Sequence, residues 1–144
     1  MIRLSVIIII IIIIIFVFLT GCSNQLTYDG VVYIFNPCPV RVSIITKNYT
    51  GSITSQNGQD SEVLSLLPKE RGIIAVFSLV SLKQDFSEHF NANGQDFIVS
   101  ISDGHSEKVL KGNQIFLLLK NVTTERNLET RNVVYEINDS SLCP

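Results

Sequence analysis

Phe97-Ile98-Val99-Ser100-Ile101-Ser102-Asp103-Gly104-His105-Ser106-Glu107-Lys108-Val109-Leu110 is the stretch that decides the fold class of this 144-residue chain. Phe97 to Ile101 is rich in β-branched and aromatic residues and forms one arm. Asp103-Gly104 tolerates the positive φ of a tight turn, and Lys108-Val109-Leu110 forms the returning arm. The pattern predicts a β-hairpin.

The same rhythm extends in both directions from Gly30 onward. Strands are expected at Val31–Phe35, Val40–Lys47, Glu62–Leu67, Ile73–Val80, Asp96–Ser102, Glu107–Lys111, Gln114–Lys120 and Asn132–Asn138, separated by turn pairs such as Asn57-Gly58 and Gly112-Asn113. Val40-Arg41-Val42-Ser43-Ile44 and Val133-Val134-Tyr135-Glu136-Ile137 carry the mixed pattern of half-buried strands. Ile73-Ile74-Ala75-Val76-Phe77 and Ile115-Phe116-Leu117-Leu118-Leu119 are apolar on both faces and predict central strands. A helix buries such runs equally well, but their length and the bounding Gly72 and Gly112 favour strands. Ser81–Phe90 is expected to be helical, because Leu82, Phe86 and Phe90 recur every four residues. Ser52–Ser61 reads as a loop. The expected fold is all-β, an antiparallel sandwich with one short helix.

The first 21 residues have a different character. Arg3 is a positive start, Val6–Leu19 is a fourteen-residue apolar run with nine successive isoleucines, and Thr20-Gly21 are small. This is the layout of a cleavable signal peptide, because a spanning helix needs roughly twenty apolar residues. An uncleaved anchor helix is the alternative. Removal of residues 1–21 leaves 123 residues, enough for one core, with ten basic and thirteen acidic side chains. That balance offers no basic stripe for a phosphate backbone, so nucleic acid is not an expected partner.

Leu19-Thr20-Gly21-Cys22 resembles the bacterial lipobox. The resemblance covers only the leader. It implies that the Cys22 thiol takes a diacylglyceryl group, that a lipoprotein signal peptidase cuts before it, and that the new amino terminus is acylated. Two or three fatty chains hold a protein on a bilayer durably, at about 0.8 kcal/mol per buried methylene. Ser23, rather than aspartate, after the lipidated position favours the periplasmic face of the outer membrane over the inner membrane. Residues 22–28 then form a tether. Its five residues Ser23–Thr27 reach at most ~18 Å, and a sandwich domain follows over 29–144.

With Cys22 lipidated, Cys38 and Cys143 are the remaining thiols and one intramolecular disulfide is possible. An oxidising exported compartment favours that bridge over two free thiols. Asn36-Pro37-Cys38-Pro39-Val40-Arg41-Val42 with Leu67-Pro68-Lys69-Glu70 loosely resembles immunoglobulin-like or transthyretin-like periplasmic domains. A Gly is usual where Lys69 stands, and the chain has no Trp for an antibody-type core.

Catalytic patterns are thin. The sequence has no Gly-x-Ser-x-Gly elbow, Ser-x-x-Lys, phosphate loop or His-Glu-x-x-His, and it has two histidines. On a helix, Asp85 and His89 would share a face beside Glu88, but two ligands do not make a metal site, and a solvated face is the simpler reading. His105 is expected at a hairpin tip. No enzyme, metal or cofactor is therefore expected. The favoured role is a binding or scaffold module that contacts another envelope protein through strand edges or loops, with Tyr28, Tyr33, Tyr49 and Phe90 as contact aromatics. An anchor lipoprotein like that of type VI secretion systems is one version. An inhibitor or immunity lipoprotein acting against a toxin or lytic enzyme is the alternative.

Overall fold

A computed structural model describes residues 28–49, 53–78, 88, 90, 94–124 and 133–144. The signal peptide, Cys22 and most of the expected Ser81–Phe90 helix, with Asp85 and His89, lie outside the described residues.

Among the described residues nine strands form two sheets. The first five are β1 (Gly30–Phe35), β2 (Val42–Lys47), β3 (Ile53–Thr54), β4 (Ser61–Leu66) and β5 (Arg71–Phe77). They are followed by β6 (Ile98–Ser102), β7 (Glu107–Lys111), β8 (Leu119–Asn121) and β9 (Val133–Ile137). One sheet has the order β3-β5-β1-β9-β8 and the other β4-β2-β6-β7. The pairings are antiparallel except that β1 runs parallel to β9. Val32, Ile34, Ile74, Phe77 and Ile137 of the first sheet pack with Val42, Ile44, Leu66, Val99 and Ile101 of the second in one apolar cluster, so the layers form a β-sandwich.

Strict alternation explains which face β1 and β2 bury, whereas Ile74–Phe77 of the central strand β5 are all buried. In β1, Val32 and Ile34 point inward while Val31, Tyr33 and Phe35 are half-buried on the outer face, and in β2 Val42, Ile44 and Thr46 are buried. Gly30 stands opposite Phe77 in the ladder, and a Cβ there would lie 2.0 Å from Phe77 Cζ. The missing side chain is therefore the space that the ring fills.

The β6–β7 hairpin forms with Ser102 opposite Glu107. Gly104 takes φ 92°, and Asp103 Oδ1 accepts from the backbone N–H groups of His105 and Ser106, both at 2.8 Å. The second turn signal acts differently from expectation. Gly112 has φ 40°, and a Cβ there would stand 2.8 Å from Gln95 Cα, so only glycine fits. The chain leaves it as a short helix, α1 (Asn113–Leu118), and extends again only at β8. The expected central strand Gln114–Lys120 is thus corrected. Ile115 is buried, whereas Leu117 is 73% exposed, because a helical turn cannot hide five consecutive apolar residues on one side.

Two smaller corrections concern β2 and β3. Val40 and Arg41 are exposed ahead of β2, which starts at Val42. The expected Ser52–Ser61 loop contains β3, where Ile53 is buried against the core. Ser55, also buried, accepts at Oγ from Gln59 N–H at 2.5 Å.

Candidate functional site

Cys38 and Cys143 are joined by a disulfide across 105 residues, with their Cα atoms 5.5 Å apart. Cys38 lies in the turn after β1. Cys143 follows a 3-10 turn, Ser140–Leu142, capped by Asp139, whose Oδ1 accepts from Ser141 N–H at 2.8 Å. The bridge fixes the end of the chain to the first loop. Lys108 Nζ donates to the Ser141 carbonyl and ties the same segment to β7.

Asn36, beside the bridge, is buried and fully bonded. Its Nδ2 donates to the carbonyls of Val40 at 3.0 Å and Leu66 at 3.1 Å, and its Oδ1 accepts from Cys38 N–H at 2.9 Å. Its backbone carbonyl accepts from Lys69 N–H, and its own N–H donates to the Glu70 carbonyl, both at 2.9 Å. One amide therefore holds the disulfide turn and the Leu67–Glu70 turn together. In that turn Lys69 adopts φ 64°, a left-handed conformation usually left to glycine. In the sequence the one signal for this role of Asn36 is its position before Pro37-Cys38-Pro39, where a turn needs local acceptors.

A second polar cluster spans the two layers. Tyr49 OH donates to the Ile74 carbonyl at 2.9 Å and lies 2.5 Å from Thr46 Oγ1. Thr46 Oγ1 also lies 3.4 Å from the Glu62 carbonyl, so the two hydroxyls share their protons among each other and two backbone carbonyls. Burial pushes the Tyr49 pKa up, Glu62 adds to the rise, and the bond from Thr46 opposes it. Such a phenol does not exchange protons near neutrality, so the cluster braces β2 against β5. Tyr49 also packs on Phe97 at 5.2 Å between ring centroids, and Phe97 on Phe90 at 5.9 Å.

These contacts correct part of the aromatic expectation. Phe90 is a core residue, and Tyr49 is half-buried and pinned, so neither is free to meet a partner. Tyr33 lies on the outer face under the Arg71 guanidinium, 4.6 Å from its ring centroid. Tyr28 donates to the Gln56 carbonyl. Around Arg71 and Tyr33 is a groove of about 270 Å³, completed by Val122, Thr124, Val134 and Glu136. It offers one cation, one carboxylate and the hydroxyls of Tyr33 and Thr124.

His105 is exposed at the hairpin tip, as expected, and Glu88 is exposed. Among the described residues no three His, Cys, Asp or Glu side chains stand together as a metal site.

The outer face of the four-stranded sheet has a distinct chemistry. Directly opposed residues share a face, so the ladders define three transverse rows. These are Ser65-Ser43-Ser102-Glu107, Val63-Ile45-Ser100-Val109 and Ser61-Lys47-Ile98-Lys111. The middle row is uncharged, and Val63 and Val109 are 67% and 43% exposed. No family model matches the chain, and neither the curated proteins nor the solved structures give a match.

Proposed function

We propose that this chain is a bacterial envelope lipoprotein, anchored through acylated Cys22, that works as a non-enzymatic protein-binding or scaffold module. The observation that carries the reading is the Cys38–Cys143 disulfide, because such bridges persist in oxidising exported compartments and are rare in the cytosol. It agrees with the export implied by the leader. A sandwich whose outer sheet face carries an uncharged row with exposed Val63 and Val109 supports a binding role, since exposed apolar patches mark interaction sites. The finer architecture belongs to the same proposal: an immunoglobulin-like or transthyretin-like sandwich, supported by two packed sheets of five and four strands.

Crosslinking in intact membranes followed by capture of the chain tests this role. Recovery of a specific envelope protein with the wild type, lost with Cys22→Ser, is the expected result. Capture of no specific protein from the membrane fraction would count against it.

A further inference from the structure

The ladders also arrange the outer face of the five-stranded sheet, where directly opposed residues share a face. Val76, Val31 and Val134 form one row, and Ile73, Tyr33, Glu136 and Lys120 form the next, with Arg71 opposite Phe35 beyond it. The groove around Arg71 and Tyr33 lies on this face, lined with apolar surface by Val134 and the more exposed Val122. Its two charged side chains are each held by a neutral neighbour. The Arg71 guanidinium lies over the Tyr33 ring, 4.6 Å from its centroid, and Glu136 Oε1 accepts from Asn138 Nδ2 at 3.1 Å. Among the described residues Arg71 and Glu136 form no ion pair with each other, and Glu136 forms none with Lys120, the exposed residue opposite it on β8. Stacking on the tyrosine leaves the edge of the guanidinium, with its fork of N–H donors, available to a carboxylate. Glu136 Oε2 is left to accept from a donor.

We propose that this groove binds a small zwitterion of amino-acid to dipeptide size, with its carboxylate on Arg71, its ammonium on Glu136 and its apolar side chain against Val122 and Val134. The site goes beyond the protein-binding reading and stands without it. The two unpaired charges select the ligand class. A simple anion would meet Glu136 as a like charge, and a simple cation would meet Arg71. A neutral apolar molecule would take water from both charges and return no hydrogen bond, which is costly. A molecule with both charges is matched at each end, and its apolar part covers the two valines. The volume sets the size: at about 270 Å³ the groove falls just below the usual range of small-molecule sites, which begins at about 300 Å³.

The test titrates the full detergent-solubilised chain with leucine and with leucylleucine, followed by ligand-observed nuclear magnetic resonance. Each probe is compared with its N-acetyl form, which keeps only the carboxylate, and its carboxamide form, which keeps only the ammonium. Saturable binding of at least one zwitterion is expected, with both single-charge forms at least tenfold weaker. Arg71→Gln and Glu136→Gln should each weaken the zwitterion at least tenfold at an unchanged urea midpoint. The variants also assign the two ends. In Glu136→Gln the gap between the zwitterion and its N-acetyl form should close, and in Arg71→Gln the gap to the carboxamide should close. A variant that merely distorts the sheet would weaken all three forms alike and leave both gaps in place. No saturable binding of either zwitterion at millimolar concentration, equal wild-type affinity for the single-charge forms, or gaps that persist in both variants would overturn the proposal.

Discussion

Gly30→Ala should destabilise the protein, although a strand normally prefers alanine to glycine. In an unconstrained strand the exchange reduces the freedom of the unfolded chain and adds about 0.4–1 kcal/mol of stability. At position 30 the new Cβ would fall 2.0, 2.3 and 2.5 Å from Cζ, Cε2 and Cε1 of Phe77. That ring has nowhere to go, because it is 0% exposed and packs on Tyr135 at 6.2 Å between centroids. Overpacking of this kind costs about 1–3 kcal/mol, which exceeds the entropic gain, so the net change should be a loss of roughly 1–2 kcal/mol. Urea unfolding of the detergent-solubilised chain, followed by far-ultraviolet circular dichroism, would show a lower midpoint at unchanged slope. A smaller side chain removes the conflict, so Gly30→Ala in a Phe77→Leu background should be neutral or stabilising. A wild-type midpoint for Gly30→Ala alone, or an equal loss in both backgrounds, would refute the argument.

Removing the bridge with Cys38→Ala and Cys143→Ala together should cost about 4.7 kcal/mol on the chain-entropy account of a loop of ~100 residues, readable as a large fall in the same urea midpoint. Asn36→Ala leaves Cys38 N–H and the Val40 and Leu66 carbonyls without their partner, and a loss of about 1–3 kcal/mol is expected. Lys69→Gly should do the opposite and raise the midpoint by up to about 1 kcal/mol, since glycine adopts the left-handed turn without steric cost. Tyr49 holds its proton more tightly folded than unfolded. Its contribution is therefore complete below the unfolded phenol pKa of about 10 and is lost as pH rises through the higher folded value. Alkaline unfolding should begin above pH ~10 and lose that component in Tyr49→Phe; an identical pH profile for the variant would remove Tyr49 from the account.

The sandwich was legible where side-chain period and turn chemistry agree. The β6–β7 hairpin needed only alternating residues and Asp103-Gly104, and β2 needed only its polar–apolar alternation. Ile115–Leu119 was illegible for a physical reason: five apolar residues in a row have no period, so helix and strand bury them equally well on paper. The outcome was decided by the φ of Gly112 and its close approach to Gln95, a contact across the base of the β6–β7 hairpin. β3 is two residues inside a polar stretch, and the parallel pairing of β1 with β9 joins strands about a hundred residues apart. Neither leaves a local trace. Candidate site chemistry was less legible still. A lipobox announces Cys22 within four residues, whereas the roles of Asn36 and Tyr49 come from neighbours that only the fold supplies.

The anchor at Cys22 is the claim on which the proposed role depends, and mass spectrometry of the chain extracted from membranes tests it most directly. The account predicts an amino-terminal peptide that begins at Cys22 and carries a diacylglyceryl group. A full-length chain with Met1 intact and no lipid on Cys22 would contradict it.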